Sequence, residues 1–228
     1  MPQTLQSLSV AGVKEAVDSG ALLVDTRPAT VFTAGFVPGS ISIGLAGAFA
    51  EWANTLLPRN KPLVLVTEVG KEEESAAKLN DEGFTNLAGY LQGGYETWQQ
   101  SGEEIDMIID VEADELAMDL PFDENIMVMD VRRPAEFAEG HVQDAENIPL
   151  NELTDLVNVA SIEENQNVYI HGHSGYRSVI AASLLKRHGV HNIRNVLGGW
   201  NAIKEEKRIK TVTETPTKES DKKEDGVE

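Results

Sequence analysis

The sequence predicts an α/β protein built from two tandem domains, each a mostly parallel sheet flanked by helices. Short runs rich in Val, Ile and Leu alternate with helical segments, the pattern of strands covered on both faces. The chain also repeats itself at one constant spacing, so the second half follows the plan of the first. At 228 residues it is long enough for two small domains, each with its own core.

The repeat is read residue by residue. Asp25-Thr26-Arg27 recurs as Asp130-Val131-Arg132, and Phe32, Gly35, Val37, Ile43 and Leu45 recur as Phe137, Gly140, Val142, Ile148 and Leu150. Gly70 recurs as Gly175, and Gly93-Gly94 as Gly198-Gly199, always 105 positions apart. In the first copy, strands are expected over 21–25, 40–43, 62–67 and 86–91, and helices over 13–18, 48–57, 71–82 and 95–100. In the second, strands are expected near 126–130, 146–148 and 167–170. A well-specified helix follows: Val179, Ile180, Ala181, Leu184 and Leu185 give it a wide apolar face. Lys186, Arg187 and His188 suit its C-terminal dipole and Gly189 its left-handed cap. The domains are expected at 1–103 and 104–207, joined near Ser101-Gly102-Glu103-Glu104. Residues 208–228 read as a disordered charged tail, since they are almost without apolar side chains.

Composition excludes several classes. With 41% apolar residues and a mean hydropathy of -0.26 the chain reads as globular, and no stretch approaches the roughly 20 apolar residues of a membrane span. No basic segment followed by an apolar core opens the chain, so a cytoplasmic setting is expected. The net charge is -19, and the 203 residues before Lys204 hold 12 basic and 30 acidic side chains. Such a body repels nucleic acid and anionic lipid, so neither is expected as a partner. There is no cysteine, which excludes disulfides, thiolate metal ligands and a persulfide on this chain.

The run Tyr169-Ile170-His171-Gly172-His173-Ser174-Gly175-Tyr176-Arg177-Ser178 carries the chemistry. It joins a strand to a helix, where main-chain N–H groups and the helix dipole can cradle an anion. Arg177 can add a charge-assisted fork. An anion site built on His173, Ser174, Gly175, Tyr176, Arg177 and Ser178 is weighed against a loop that only connects strand and helix.

This loop resembles the Cys-x-x-Gly-x-Arg-Ser loop of the rhodanese family of sulfurtransferases. Asp130-Val-Arg132, Glu136-Phe137-Ala-Glu-Gly140-His141-Val142, Asn147-Ile148-Pro149-Leu150 and Asn195-Val-Leu-Gly198-Gly199-Trp200 complete the likeness. The resemblance implies tandem rhodanese-like domains acting on a small sulfur anion, thiosulfate or a persulfide, with no cofactor. It places Gly172 where the family has its nucleophilic cysteine, so this chain reads as a pseudoenzyme scaffold. A natural loss and a Cys→Gly change both remain open as its origin. The first loop, Thr67-Glu-Val-Gly70-Lys71-Glu72-Glu73, has Thr67 at the cysteine position and Glu72 at the arginine position. The stretch from Val66 to Trp98 is also similar to the first of two rhodanese repeats that follow a metallo-β-lactamase-fold domain. That points to a hydrolase or persulfide dioxygenase as fused domain or partner. A non-catalytic docking module is the competing function.

Other residues have plainer readings beside the functional one. His171-x-His173 lacks the further ligands of a metal site, so no metal is assigned. His173 as a nucleophile has no activating partner in the sequence. Asp130, Arg132 and their counterparts Asp25 and Arg27 are expected as structural ion pairs or turn caps near the site. His141 is expected to pack near the loop, the glycine pairs to make tight turns, and Trp52, Trp98 and Trp200 to serve the core or the domain interface.

Overall fold

A computed structural model describes residues 5–214. The first domain runs β1 (Ser7–Leu8), α1 (Val10–Asp18), β2 (Leu22–Asp25), α2 (Ala29–Ala34), β3 (Ile41–Ser42), α3 (Phe49–Leu56), β4 (Leu63–Val66), α4 (Glu72–Asp81), β5 (Leu87–Leu91) and α5 (Gly94–Gln100). The second runs β6 (Ile109–Val111), α6 (Ala113–Asp119), β7 (Ile126–Asp130), α7 (Pro134–Glu139), β8 (His141–Val142), β9 (Glu146–Asn147), α8 (Leu156–Ala160), β10 (Asn167–His171), α9 (Tyr176–Arg187), β11 (Ile193–Val196), α10 (Gly199–Ile203) and β12 (Thr211–Val212). The main sheets are parallel and five-stranded, ordered β1-β5-β4-β2-β3 and β6-β11-β10-β7-β9.

Local chemistry sets the element ends. Ser9 caps α1 by accepting the Gly12 N–H at 3.2 Å. Pro134 opens α7, where its missing N–H costs nothing. The central strands β2 and β4 are buried at every residue, as continuous apolar runs in a doubly covered sheet must be. Two elements lie outside the expected set of the first copy. These are β1, only two residues long, and α2, whose Ala-Thr-Val-Phe-Thr-Ala carries a weak helical signal behind Pro28.

One face of each sheet has its own core. Val13, Leu23, Val64, Tyr95 and Trp98 form one; Val111, Leu116, Val128, Tyr169 and Val196 form the other. The remaining core is continuous through both domains, joining Phe32, Ile41, Ile43 and Trp52 to Met129, Ile170, Val179 and Leu185. Helix α9 packs on β3 as well as on its own sheet, and every residue from Ser178 to Leu185 is buried. The one-sided apolar face read from sequence is therefore an understatement, because a second domain covers the other side. Polar contacts pin this joint. The Ser42 N–H on edge strand β3 donates to Ser183 Oγ at 3.0 Å, and Arg187 donates to the Gly39 carbonyl at 3.1 Å. Lys186 pairs at 2.8 Å with Asp106, whose main chain bridges antiparallel to Phe36 of the first domain.

The start of the expected tail needs correction. Residues 208–214 are packed against the second domain: Ile209 is buried, Thr211 and Val212 pair antiparallel with Val142 and His141, and the Glu214 N–H donates to the Ala138 carbonyl. The apolar Ile209 and Val212 in an otherwise polar run supply the anchor. The rest of that expectation, from residue 215 on, lies outside the described residues. No helix among the described residues is long and apolar enough to cross a membrane.

Candidate functional site

The candidate loop leaves the C-terminal end of β10, between β7 and β11; α9, which follows it, packs in one core and α10, which follows β11, in the other. Crevices of α/β sheets form at such switch points. Gly175 adopts φ 109° as it turns the chain into α9. Gly172 lies outside the left-handed region, so its backbone accepts any L residue. A Cβ placed on it would lie 3.2 Å from Arg177 Cβ and 3.4 Å from the Ser178 nitrogen, over the first turn of α9. That contact is tight but open to an adjustment of a few tenths of an ångström.

The loop is held from behind by α10. The Trp200 N–H donates to the Gly172 carbonyl at 2.8 Å and the Asn201 N–H to the His173 carbonyl at 3.2 Å. Such an approach requires glycine at 199. Its φ is 55°, and a Cβ there would fall 2.5 Å from the Gly172 oxygen. The Gly198-Gly199 pair therefore makes a turn and also a close backbone contact. With those carbonyls occupied, the N–H groups of residues 173–178 donate to no acceptor among the described residues.

The side chains divide sharply. Ser178 Oγ donates to the Gly175 carbonyl at 2.9 Å and is buried, so it closes the loop. Tyr176 points across the domain joint: its hydroxyl donates to the Gly44 carbonyl at 2.9 Å, and burial pushes its pKa up to about 12. Ser174 and His173 are exposed. Arg177 is engaged end-on: Nη1 donates to Glu136 Oε2 and Nη2 to Glu136 Oε1, both at 2.7 Å, while its Nε–H meets no acceptor among the described residues. Glu136 reaches it from the first turn of α7, where it also accepts the Arg133 N–H at 3.1 Å. The Arg177 guanidinium, above all, holds the Glu136 carboxyl down at about 2.

Asp130 and Arg132 form a buried ion pair below the loop. Arg132 Nε contacts both carboxylate oxygens at 3.0 Å, and its Nη2 donates to Asp130 and to the Gly140 carbonyl at 2.6 Å each. The guanidinium lies 4.5 Å over the Trp200 ring. His141 is buried in β8, stacked on Phe137 at 3.6 Å, with Nδ1 2.8 Å from the Phe137 carbonyl.

The two histidines flanking Gly172 do not converge. His171 is fully buried and His173 is 53% exposed, its Nδ1 4.0 Å from Glu136 Oε1. No group of three or more His, Cys, Asp or Glu suited to a metal occurs among the described residues. His171 Nε2 has no hydrogen-bond partner among them and sits 3.7 Å from Asp130 Oδ2; burial lowers its pKa. Its single Nδ1 contact is to the neighbouring Gly172 carbonyl, at 3.2 Å.

Sequence reading passed over two participants. One is Glu136, quoted for family likeness but given no role. The signal was in the repeat: 105 positions earlier stand Val31 for Glu136 and Glu72 for Arg177, so both partners change together. The other is the joint itself. A cavity of about 530 Å³ at the first loop is lined by Thr26, Pro28, Leu45, Glu68 and Lys71, and by Tyr176 of the second domain.

This chain belongs to the rhodanese-like domain family: the family profile Rhodanese-like domain matches residues 9–101 and 112–206. It is similar to the putative sulfur carrier protein YrkF of Bacillus subtilis, 31% identical over 101 residues, which are 44% of this chain and 54% of YrkF. The chain thus spans about half the length of that relative. A sulfurtransferase of Allochromatium vinosum is 29% identical over 93 residues, 41% of this chain and 85% of that protein. Among solved structures, the rhodanese-like domain of an Anabaena protein is 25% identical with a TM-score of 0.43, over 48% of this chain and 86% of that one.

Proposed function

We propose that the second domain is a sulfurtransferase-type site that keeps a binding loop and lacks its nucleophile. In this reading it holds a small sulfur-containing anion, thiosulfate or a persulfide, without bonding to it covalently. The observation that carries the reading is Gly172: an ordinary backbone position whose Cβ would sit 3.4 Å from the Ser178 nitrogen, beside a run of unpaired amides. A thiol there would lie against the positive end of α9, where a thiolate is stabilised. In the family's reaction that thiolate attacks the outer sulfur of the donor. With thiosulfate the S–S bond breaks, sulfite leaves with the bonding pair, and an acceptor such as cyanide then takes the outer sulfur as thiocyanate and frees the thiolate. Glycine cannot begin this sequence. The Ser178 and Tyr176 hydroxyls, each donating to a carbonyl, offer no substitute.

The test is Gly172→Cys, assayed for transfer to cyanide from thiosulfate and from glutathione persulfide. The wild-type chain should give no turnover and the variant measurable turnover with at least one donor. A folded variant silent with both donors overturns the reading. Under the same reading a metallo-β-lactamase-fold persulfide dioxygenase or hydrolase, fused or separate, is the partner that exchanges such species with the loop. Binding of a purified enzyme of that class to this chain, read by interferometry, checks that assignment.

A further inference from the structure

We infer that Glu136 sets the donor class of this site: by filling the Arg177 fork it turns the loop away from oxyanion-tailed donors and toward oxygen-free sulfur anions such as persulfides and hydrosulfide. The inference rests on the reading of the loop as an anion site and asks which anion the loop prefers.

A sulfonate-like tail is best recognised by two parallel N–H donors, which arginine presents in a fixed fork. Here the end-on pair, Nη1 and Nη2, is taken at 2.7 Å by one carboxylate, which leaves only the Nε edge open. The carboxylate is itself anchored, because Glu136 Oε2 also accepts the Arg133 N–H from the start of its own helix. Glu136 is thus a fixed part of the wall, and an arriving oxyanion must displace it or settle for the Nε edge, beside the Glu136 charge. A persulfide or hydrosulfide has no oxygen tail to place there. It asks only for main-chain N–H groups, and those of 173–178 meet no acceptor among the described residues.

Charge points the same way. Glu136 cancels the cation nearest the loop, so the local field favours a monoanion over a dianion, within a body already strongly acidic. Protonation does not open the fork at working pH, since the Glu136 carboxyl titrates only near 2. The first domain supplies an internal contrast: with Glu72 at the arginine position, the carboxylate position is Val31, 43% exposed and without a charge to balance.

The experiment is calorimetric titration of sodium thiosulfate and, anaerobically, of sodium hydrosulfide into the wild-type chain, Glu136→Gln, Arg177→Ala and the double variant. Glutamine keeps an oxygen that can accept the Arg133 N–H, so the helix start survives. Glu136→Gln should bind thiosulfate about tenfold more tightly than wild type, the value of roughly one charge-assisted contact. The gain for hydrosulfide should stay under about threefold, a field effect alone. The thiosulfate gain should vanish in the double variant. Equal thiosulfate affinity of wild type and Glu136→Gln, or equal gains for both anions, overturns the inference. If Glu136→Gln does not fold, Glu136→Asp keeps charge and cap but is too short to hold both guanidinium nitrogens. It should then show an intermediate thiosulfate gain, and none would be equally fatal. Binding of neither anion to any folded variant overturns the anion-site reading itself.

Discussion

At the end of β4 the chain turns through residues 67–71 into α4; at the end of β10 it turns through residues 172–175 into α9. The frames around these two turns are nearly superimposable in their chemistry. Arg27 grips Asp25 at 3.0, 3.0 and 2.7 Å and donates to the Gly35 carbonyl at 2.9 Å, with Tyr95 under its guanidinium at 4.4 Å. Arg132 repeats each of these contacts with Asp130, Gly140 and Trp200. Inside the frames the two loops part. In the first, the Lys71 N–H donates to the Glu68 carbonyl at 3.0 Å, and Thr67 Oγ1 donates to the same oxygen at 2.9 Å. Glu72, Glu73 and Glu74 then fill the first turn of α4. In the second, the corresponding amides are open and the helix begins Tyr-Arg-Ser. The buried Asp-x-Arg unit accompanies both loops, so it serves the fold. Chemistry has been varied above it without disturbing it.

The sharpest way to break this comparison is to put the same nucleophile in both loops. Gly172→Cys should gain sulfur transfer and Thr67→Cys should gain none, a difference between measurable and undetectable turnover. Three carboxylates in the first turn of α4 oppose a thiolate, whereas α9 presents its dipole uncancelled. The rate of alkylation by iodoacetamide across pH 6–9 checks it independently. The Gly172→Cys thiol should react at neutral pH and the Thr67→Cys thiol only at higher pH. Similar profiles would mean that the loops differ less than their side chains indicate.

Next in size is the frame. Asp25→Asn and Asp130→Asn each leave a buried guanidinium without its counter-ion, a loss of about 3–5 kcal/mol. Because the two pairs are geometrically alike, their costs in urea denaturation should agree within about 1 kcal/mol. A large cost at one position alone would show that one copy of the motif has a duty beyond folding.

Much of this was legible in the chain. A constant offset of 105 linking Asp25 to Asp130 and Gly93 to Gly198 yields the tandem architecture, because repeated sequence buries repeated cores. The inner strands and five of the helices, α1, α3, α4, α5 and α9, follow from apolar runs, whereas α2, α6, α7, α8 and α10 are too short to show a period. The Arg177–Glu136 pair has no local signature because its partners are 41 positions apart on different helices; only the paired change to Glu72 and Val31 in the first copy marks it. The all-round burial of α9 was hidden for a related reason. Helical periodicity reports one apolar face, whereas Ala181, Ala182 and Ser183 are small enough to admit a second domain without a hydrophobic signature. The packing of Ile209 and Val212 was masked by the polar composition of the residues around them.

Smaller effects sharpen the comparison at the glycine pairs. Gly199→Ala would drive a Cβ to 2.5 Å from the Gly172 carbonyl, and Gly94→Ala to 2.8 Å from the Thr67 carbonyl, both at positive φ. Each should cost about 1–3 kcal/mol in denaturation. Only Gly199→Ala should also weaken anion binding, because it displaces the loop that holds the open amides. Equal binding by the two variants would separate the amides from the α10 contact.

The smallest effect lies under the loop, where the second domain has His171 and the first has Val66. Burial holds the folded His171 pKa below its ordinary value of 6.5, although the nearby Asp130 pulls the other way. Above about pH 7 the ring is neutral in both folded and unfolded chains and contributes no pH dependence. As pH falls through 6.5 the unfolded chain takes up a proton that the folded chain refuses, so stability drops until the depressed folded value is reached. His188 is shifted in the same direction and adds a contribution of the same sign, while Glu136, titrating between 4.5 and about 2, stays out of this window. His171→Val, which copies the first domain, should therefore flatten the profile. Between pH 7.5 and 5.5 the wild-type chain should lose about 1 kcal/mol more than the variant in urea denaturation. The reading is the difference in slope, since the missing imidazole also changes packing at every pH. Parallel slopes would mean that His171 takes up its proton in the folded chain, with Asp130 rather than burial governing the ring.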